Sequence, residues 1–219
     1  MQGKQFESLK RFAQEYMRQY DEVYVTKYME RYCQKEIAAV LKQADLLLKQ
    51  VFVFEDKWDM EPCSIPYALD PMVWDCSPNG DPEWIYMLNR HEYLHKLLLA
   101  YNFTKNIIYI EKLKWYLKHW ISTNPIVSKG TETTRTIDTG IRCMNWQFLL
   151  IQMIGRELMD EDEAGVVLDS MSQQFHYMRN SYIEKYTLSN WGVLQTTAIC
   201  QGYLWFKEYL PDNGMEQWA

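Results

Sequence analysis

Apolar side chains recur along most of this chain at intervals of three and four residues. Phe6, Leu9, Ala13, Tyr16 and Tyr20 form one such series, and Ile37, Val40, Ala44, Leu47 and Val51 a second. Ile110, Leu113, Leu117 and Trp120 continue it, as do Ile141, Met144, Phe148 and Ile151, and then Met171, Phe175, Met178 and Tyr182. The last series runs Trp191, Leu194, Ala198, Gly202, Trp205, Tyr209. Each set makes a stripe on one face of a helix, and such a stripe must be buried against a neighbour. The stops agree. Asn124-Pro125 and Leu210-Pro211 each end a helix, because the residue before proline is driven out of the α region. Asp160 with Glu163 three residues on has the form of an acidic capping box at a helix start. Connections of roughly 4–12 residues suit antiparallel helix neighbours. The expected fold is all-α and built of helix hairpins.

One segment breaks the pattern. Residues 51–82 hold five of the seven prolines. Val51 to Phe54 reads as a short strand, and the remainder as an extended, aromatic-studded loop leading to a helix that starts near Glu83. A loop of that length inside a compact domain is usually functional. There is no exact internal repeat, yet the helix-pair rhythm suits a solenoid or toroid whose sequence repeat is weak.

A length of 219 residues, 47% of them apolar and 24% charged, describes one globular domain over 1–219 and excludes a disordered chain. The aromatics, 15% of the chain, exceed what such a domain needs; a helical core or a sugar-binding cleft would use them. A net charge of −6 argues against nucleic acid as a partner. The charge is uneven. Residues 86–156 carry ten Lys/Arg against four acids, together with His91, His95 and His119. Solvated helix faces would explain that stretch, and so would a cationic cleft for an anionic ligand. Five cysteines without a C-x-x-C pair are expected to be free thiols, although Cys63 and Cys76 share the loop-rich segment and could pair. No apolar run is long enough to cross a membrane, so none is expected as a partner.

Three constellations could carry chemistry. His91-Glu92-Tyr93-Leu94-His95 is a literal H-E-x-x-H, which on one helix would hold zinc between two imidazoles a turn apart. It lacks a third ligand at a suitable spacing, so no metal is expected. Asn190 falls in the first turn of the last helix, where it either caps the helix or offers its amide to an anion. The run Arg135 to Trp146 supplies Arg135, Arg142, Asn145 and Trp146. Arginine beside tryptophan suits a carboxylated sugar, and the alternative is an i,i−4 pair of Arg142 with Asp138.

At these residues the chain resembles a known family. Asp81-Pro82-Glu83-Trp84, Leu88-Asn89-Arg90-His91, Ala100-Tyr101, Trp120-Ile121 with Asn124-Pro125, the run from Arg135 to Trp146, and Ser189-Asn190-Trp191 occur in that order. Together, over about residues 45–210, they resemble the N-terminal domain of the heparinase II/III family. The resemblance implies an incomplete (α/α) toroid, followed in the full enzymes by an antiparallel β-sandwich that would be this chain's partner domain. It implies a periplasmic or secreted lyase, without a cofactor, that cleaves uronate-containing polysaccharides such as heparan sulfate by β-elimination. Asn190 then takes the position that neutralises the uronate carboxylate, and Asn89, Arg90, His91, Arg135, Arg142, Asn145, Trp146 and Trp191 are expected to line the substrate cleft. Two departures qualify this. Trp191 stands where many members have histidine, and the family's catalytic tyrosine lies C-terminal to Ala219. The chain by itself is therefore expected to show little turnover. A non-catalytic glycan-binding module and, behind it, a zinc peptidase built on His91 and His95 are the competing readings.

Overall fold

The computed structural model of the protein describes residues 3–55, 62–210 and 214–219. Helices α1 (Gly3–Arg18), α2 (Glu22–Tyr32) and α3 (Gln34–Leu48) come first, followed by strands β1 (Val51–Phe54) and β2 (Cys63–Ala68). Then come α4 (Pro82–Arg90), α5 (Leu94–Thr104), α6 (Ile108–Thr123), α7 (Thr136–Gly155), α8 (Glu161–Asn180), α9 (Asn190–Phe206) and the single turn α10 (Met215–Trp218). Short 3-10 turns at Glu132–Thr134 and Glu184–Tyr186 lead into α7 and α9.

The helix ends follow local chemistry. Asp160 and Glu163 close the capping box that starts α8, each side chain bonding the other's backbone N–H. The Asp81 carboxylate accepts from Glu83 N–H, and Pro82 occupies the first position of α4, where a missing N–H costs nothing. Helix α6 stops at Thr123, one residue before Asn124-Pro125. Helix α9 stops earlier than the proline at 211 requires, at Phe206, and Pro211 lies outside the described residues. Helix α2 has no buried residue, which is why no stripe announced it.

Helix α7 is the centre of the molecule. It packs on α1, α4, α8 and α9, while α5 pairs with α3 and α6. Its buried set includes Ile137, Cys143, Trp146, Leu149, Leu150, Ile151 and Met153, so it is apolar around most of its circumference, as an enclosed helix must be. The aromatics are largely core: Trp84, Trp120, Trp146, Tyr116, Tyr203, Phe175 and Phe206 are all buried.

The described residues of the proline-rich segment pack on the core. Strands β1 and β2 pair antiparallel, with Val51 opposite Ala68, Phe52 opposite Tyr67 and Phe54 opposite Cys63. Phe52 and Phe54 turn inward against Trp84, with ring centres 6.3 and 5.2 Å apart in edge-on geometry. Beyond β2, Leu69, Met72 and Trp74 are buried, and the Trp74 indole N–H donates to His119 Nδ1 at 2.9 Å. The functional loop expected there is in its described part a clasp over the core. All five cysteines, Cys63 and Cys76 included, are free thiols.

Gly202 of α9 makes room for the Phe175 ring of α8. A Cβ at that position would lie 2.5 Å from Cζ of the buried Phe175 ring, which has no room to retreat. Gly202→Ala is expected to destabilise the protein by about 1–3 kcal/mol through overpacking. For a chain of this size that is a fall in Tm of roughly 2–10 °C. Thermal unfolding of the variant checks it; an unchanged Tm would show that the two helices can separate at no cost.

Candidate functional site

The site grows from a buried arginine. Arg142, in the middle of α7, is fully shielded from solvent. Its Nε donates to Gln174 Oε1 of α8 at 2.9 Å, Nη1 to the carbonyls of Asn89 (2.9 Å) and Thr133 (3.1 Å), and Nη2 to Thr139 Oγ1 at 3.1 Å. The guanidinium also lies 3.9 Å from the centre of the Trp120 ring. Burial lowers its pKa to about 10, which leaves it protonated at neutral pH. Asn89 is equally committed. Its amide donates to the carbonyls of Trp74 and Ile85 and accepts from the Trp120 indole, each at 2.8 Å. The i,i−4 pairing of Arg142 with Asp138 does not form; Asp138 is taken by other partners.

The H-E-x-x-H sequence is not one helix. His91 ends α4 in the left-handed region at φ 63°, and α5 begins at Leu94. The rings therefore diverge. His91 Nδ1 accepts from the Trp146 indole at 2.9 Å, which puts the ring proton on Nε2. Trp74, Trp120, Trp146 and Tyr93 surround that ring at centre distances of 5.1–5.9 Å. Burial first, then the nearby Arg142 charge, hold its pKa well below 6.5. His95 Nε2 meets Asn145 Oδ1 at 3.1 Å, and the Asn145 amide donates to the Arg90 carbonyl at 2.9 Å. Burial lowers the His95 pKa as well. Two imidazoles held by separate partners on either side of a chain reversal are not a helical ligand pair, so the peptidase reading loses its premise.

Towards the surface the network becomes ionic. The buried Asp138 carboxylate accepts from Arg90 Nε at 2.7 Å and from Arg135 Nε and Nη2. Glu83 adds a second carboxylate, 3.6 Å from Arg135 and 4.0 Å from Arg90. Held in this way, the Arg135 guanidinium lies 3.3 Å above the Tyr86 ring and 5.5 Å from the Trp191 ring. Trp191 stacks on Tyr186, centres 5.2 Å apart and planes 23° apart. The Tyr86 hydroxyl donates to Glu132 Oε2 at 2.9 Å. Next to Trp191, Asn190 is exposed in the first turn of α9. It is not the cap. Ser189 holds that position, and its hydroxyl turns back to the Tyr186 carbonyl at 3.0 Å. Among the described residues the Asn190 amide has no hydrogen-bond partner. Gly192 lets this turn close, since a Cβ there would collide with the Tyr186 carbonyl and the Tyr182 hydroxyl.

The sequence-based candidates thus divide. Arg135 and Trp191 come together at the surface, Asn190 adjoins Trp191 in the chain, and Arg90 shares Asp138 with Arg135. Asn145 is half-buried against His95 and Arg90. Asn89, His91, Arg142 and Trp146 are interior: their desolvated polar groups bond to one another and to backbone carbonyls and hold the helices in place. The cationic cleft is corrected. Lys114 and Lys118 both pair with Glu163 at 2.8 Å, Arg156 with Glu22 at 3.0 Å, and Lys112 lies over Trp115 at 4.0 Å. Of the ten cations, Arg90, Lys114, Lys118, Arg135 and Arg156 have ion pairs with acids among the described residues, and they are dispersed over the fold. Tyr86 and Tyr186 were missed; their only signal was position, one turn before Arg90 and one before Asn190.

Two outcomes test this account. Arg142→Met leaves two carbonyls and the Gln174 amide oxygen without their donor, and is expected to destabilise the protein by about 3–5 kcal/mol, read by denaturant unfolding. The second concerns acid. Between the depressed folded pKa of His91 and about 6.5, the unfolded chain binds a proton that the folded ring refuses, so stability falls as pH drops below about 6.5, at up to about 1.4 kcal/mol per pH unit for each such histidine. His91→Asn keeps an acceptor and tolerates the left-handed backbone. Its Tm is expected to fall less steeply from pH 6.5 to 5 than the parent's; an equal slope would show that the buried ring does not resist protonation.

The chain was compared with known proteins. The family model described as heparinase II/III N-terminus matches residues 2–215. No curated protein matches the sequence. Among solved structures, heparan sulfate lyase HepC from Pedobacter heparinus is similar with a TM-score of 0.67 at 16% identity, over 82% of this chain and 27% of that one. A heparinase III is similar with a TM-score of 0.61 at 16% identity, over 82% of this chain and 29% of that one. The chain spans less than a third of the length of either, and shares with them the helical fold expected from the sequence, the incomplete (α/α) toroid of helix hairpins. Through the match over residues 2–215, the chain belongs to the heparinase II/III family.

Proposed function

We propose that this chain is the helical, substrate-engaging part of a polysaccharide lyase that acts on a uronate-containing glycosaminoglycan of the heparan sulfate kind, in the periplasm or outside the cell. The observation that carries the reading is the uncommitted Asn190 amide at the start of α9, next in the chain to Trp191, whose ring flanks an arginine laid on Tyr86. Family membership and the heparan sulfate lyases of similar fold support it.

The chemistry suits these groups. In β-elimination the C5–H bond of a uronate breaks, its electrons form the C4–C5 double bond, and the C4–O bond to the next sugar breaks, the leaving oxygen taking a proton. Negative charge grows on the uronate carboxylate as the C5 proton leaves. A neutral amide donor meets that charge, and the first-turn N–H groups of the 17-residue α9 add to it. Trp191 and Tyr186 offer flat faces to a sugar ring, and Arg135, laid on Tyr86 with its Nε/Nη2 edge on Asp138, has its remaining N–H groups to offer a sulfate or carboxylate. By resemblance to the family, a tyrosine and histidines share the roles of base and acid. None of the interior histidines is placed for that work.

The test uses the protein with its complete C-terminal region and heparan sulfate, with the unsaturated product followed by its ultraviolet absorbance. Asn190→Ala is expected to lower kcat by about 10²-fold or more with a much smaller change in KM, since the lost interaction strengthens mainly in the transition state. Arg135→Ala is expected to raise KM chiefly. Full kcat in the Asn190 variant would remove the assignment. Tight glycan binding with no turnover in the whole parent protein would establish the non-catalytic module instead.

A further inference from the structure

The core absorbs most of the aromatic surplus, and helix α2 displays much of what remains. None of its residues is buried. The half-buried face, which rests on the molecule, is Glu22, Thr26 and Met29, and Glu22 is tied to Arg156 at 3.0 Å. The other face is a ladder of tyrosines one helical turn apart. Tyr24, Tyr28 and Tyr32 are 64%, 50% and 61% exposed, with successive ring centres 6.4 and 4.9 Å apart. Tyr20, 59% exposed, stands just before the helix and continues the four-residue spacing.

The line of residues alongside the ladder is cationic. Lys27 and Arg31 are exposed, and the Arg31 guanidinium lies 5.2 Å from the centre of the Tyr32 ring. Among the described residues neither is paired with a carboxylate, in contrast to Arg90, Arg135, Lys114, Lys118 and Arg156. Glu22 and Glu30 fall, by helical spacing, on the side away from the tyrosines. The helix thus holds Glu22, paired with Arg156, against the molecule, leaves Glu30 exposed on the flank away from the tyrosines, and turns flat rings with free positive charge outward.

That sorting selects an occupant. A face meant for lipid or for another helix carries aliphatic anchors at these positions. Here Val23 and Val25 are exposed only at the flanks, and the ladder between them is of phenols, whose faces pack against the C–H faces of sugar rings while their hydroxyls stay wet, and the adjacent cations complement carboxylates or sulfates. We propose that the outer face of α2 is a second binding track for an acidic polysaccharide. It is separate from the Tyr86–Arg135–Trp191 cluster, which stands on α4, α7 and α9, whereas α2 packs on α3. The choice of glycan rests on the proposed function; the track itself would hold the polymer and not take part in its cleavage.

The probe is heparan sulfate polymer, with uncharged dextran as control, and the readout is the dissociation constant at several salt concentrations. The joint variant Tyr24→Ala, Tyr28→Ala, Tyr32→Ala is expected to weaken binding about tenfold or more while Tm is held, because the rings are exposed. Lys27→Gln with Arg31→Gln, which keeps helix propensity, is expected to weaken binding and flatten its salt dependence. The pair Arg135→Ala and Trp191→Ala separates the two readings. If the α2 variants bind as the parent does and the Arg135/Trp191 variant loses binding, the track is refuted and the proposed site stands. If the α2 variants lose affinity and the Arg135/Trp191 variant does not, the track stands and the site reading falls. Unchanged glycan affinity together with altered self-association in light scattering would make α2 a protein-contact face and overturn the inference. Failure of the parent protein to prefer heparan sulfate over dextran would overturn both.

Discussion

A guanidinium that has lost all of its water must find its hydrogen bonds inside the protein, and every partner it takes is then fixed relative to it. Arg142 does this at the middle of the central helix. Through it the end of α4, the turn before α7, α7 itself and α8 share one donor group, with the Trp120 ring of α6 beneath. Asn89 repeats the arrangement one step outward, joining α4, the Trp74 loop and α6. These bonds join elements that apolar packing alone would allow to slide. Their directionality sets the position of α4 against α7 and hence the position of the surface cluster built on both.

The surface cluster inherits its geometry from that interior. Asp138 is one turn before Arg142 on α7 and buried, so its carboxylate has to be neutralised; Arg90 and Arg135 converge on it. One of those arginines then lies flat on Tyr86 with Trp191 alongside. A lone Arg135 on a flexible surface would lose rotamer entropy on meeting a ligand. Held by Asp138 and Glu83 it has already lost it, which is the physical content of preorganisation at this site. The same pairing limits its net charge, so geometry, more than bulk attraction, is what it offers an anion.

Charge and aromatic content acquire meaning only after placement. The excess of cations over residues 86–156 suggested one cleft, and the fold sets several of them against acids of α2, α4 and α8. The aromatic surplus suggested a sugar site, and most of it is core. Among the described residues the exposed rings lie mainly along α2, Phe148 apart from them against Trp205, and half-buried Tyr86, Tyr186 and Trp191 gather around Arg135.

The helical architecture was legible in the sequence because a buried stripe repeats at the period of the helix that buries it, and α1, α3, α6, α7, α8 and α9 all carry one. The capping box at Asp160 and the stop at Asn124-Pro125 were legible for the same local reason. Helix α2 was not, since it buries nothing and so leaves no stripe. The break at His91 was hidden because a left-handed residue between two helices keeps the look of a continuous helical motif. The family was readable from short ordered motifs, yet their roles were not. Asn89, His91, Arg142 and Trp146 look like ligand residues by type, and tertiary packing made them interior supports, because a polar side chain serves whichever partner lies within about 3 Å of it. That partner comes from a distant part of the chain, 53 residues away for Arg142 and Asn89 and 55 for Trp146 and His91. Spacing along a sequence carries the period of local structure; it carries no distance across the fold.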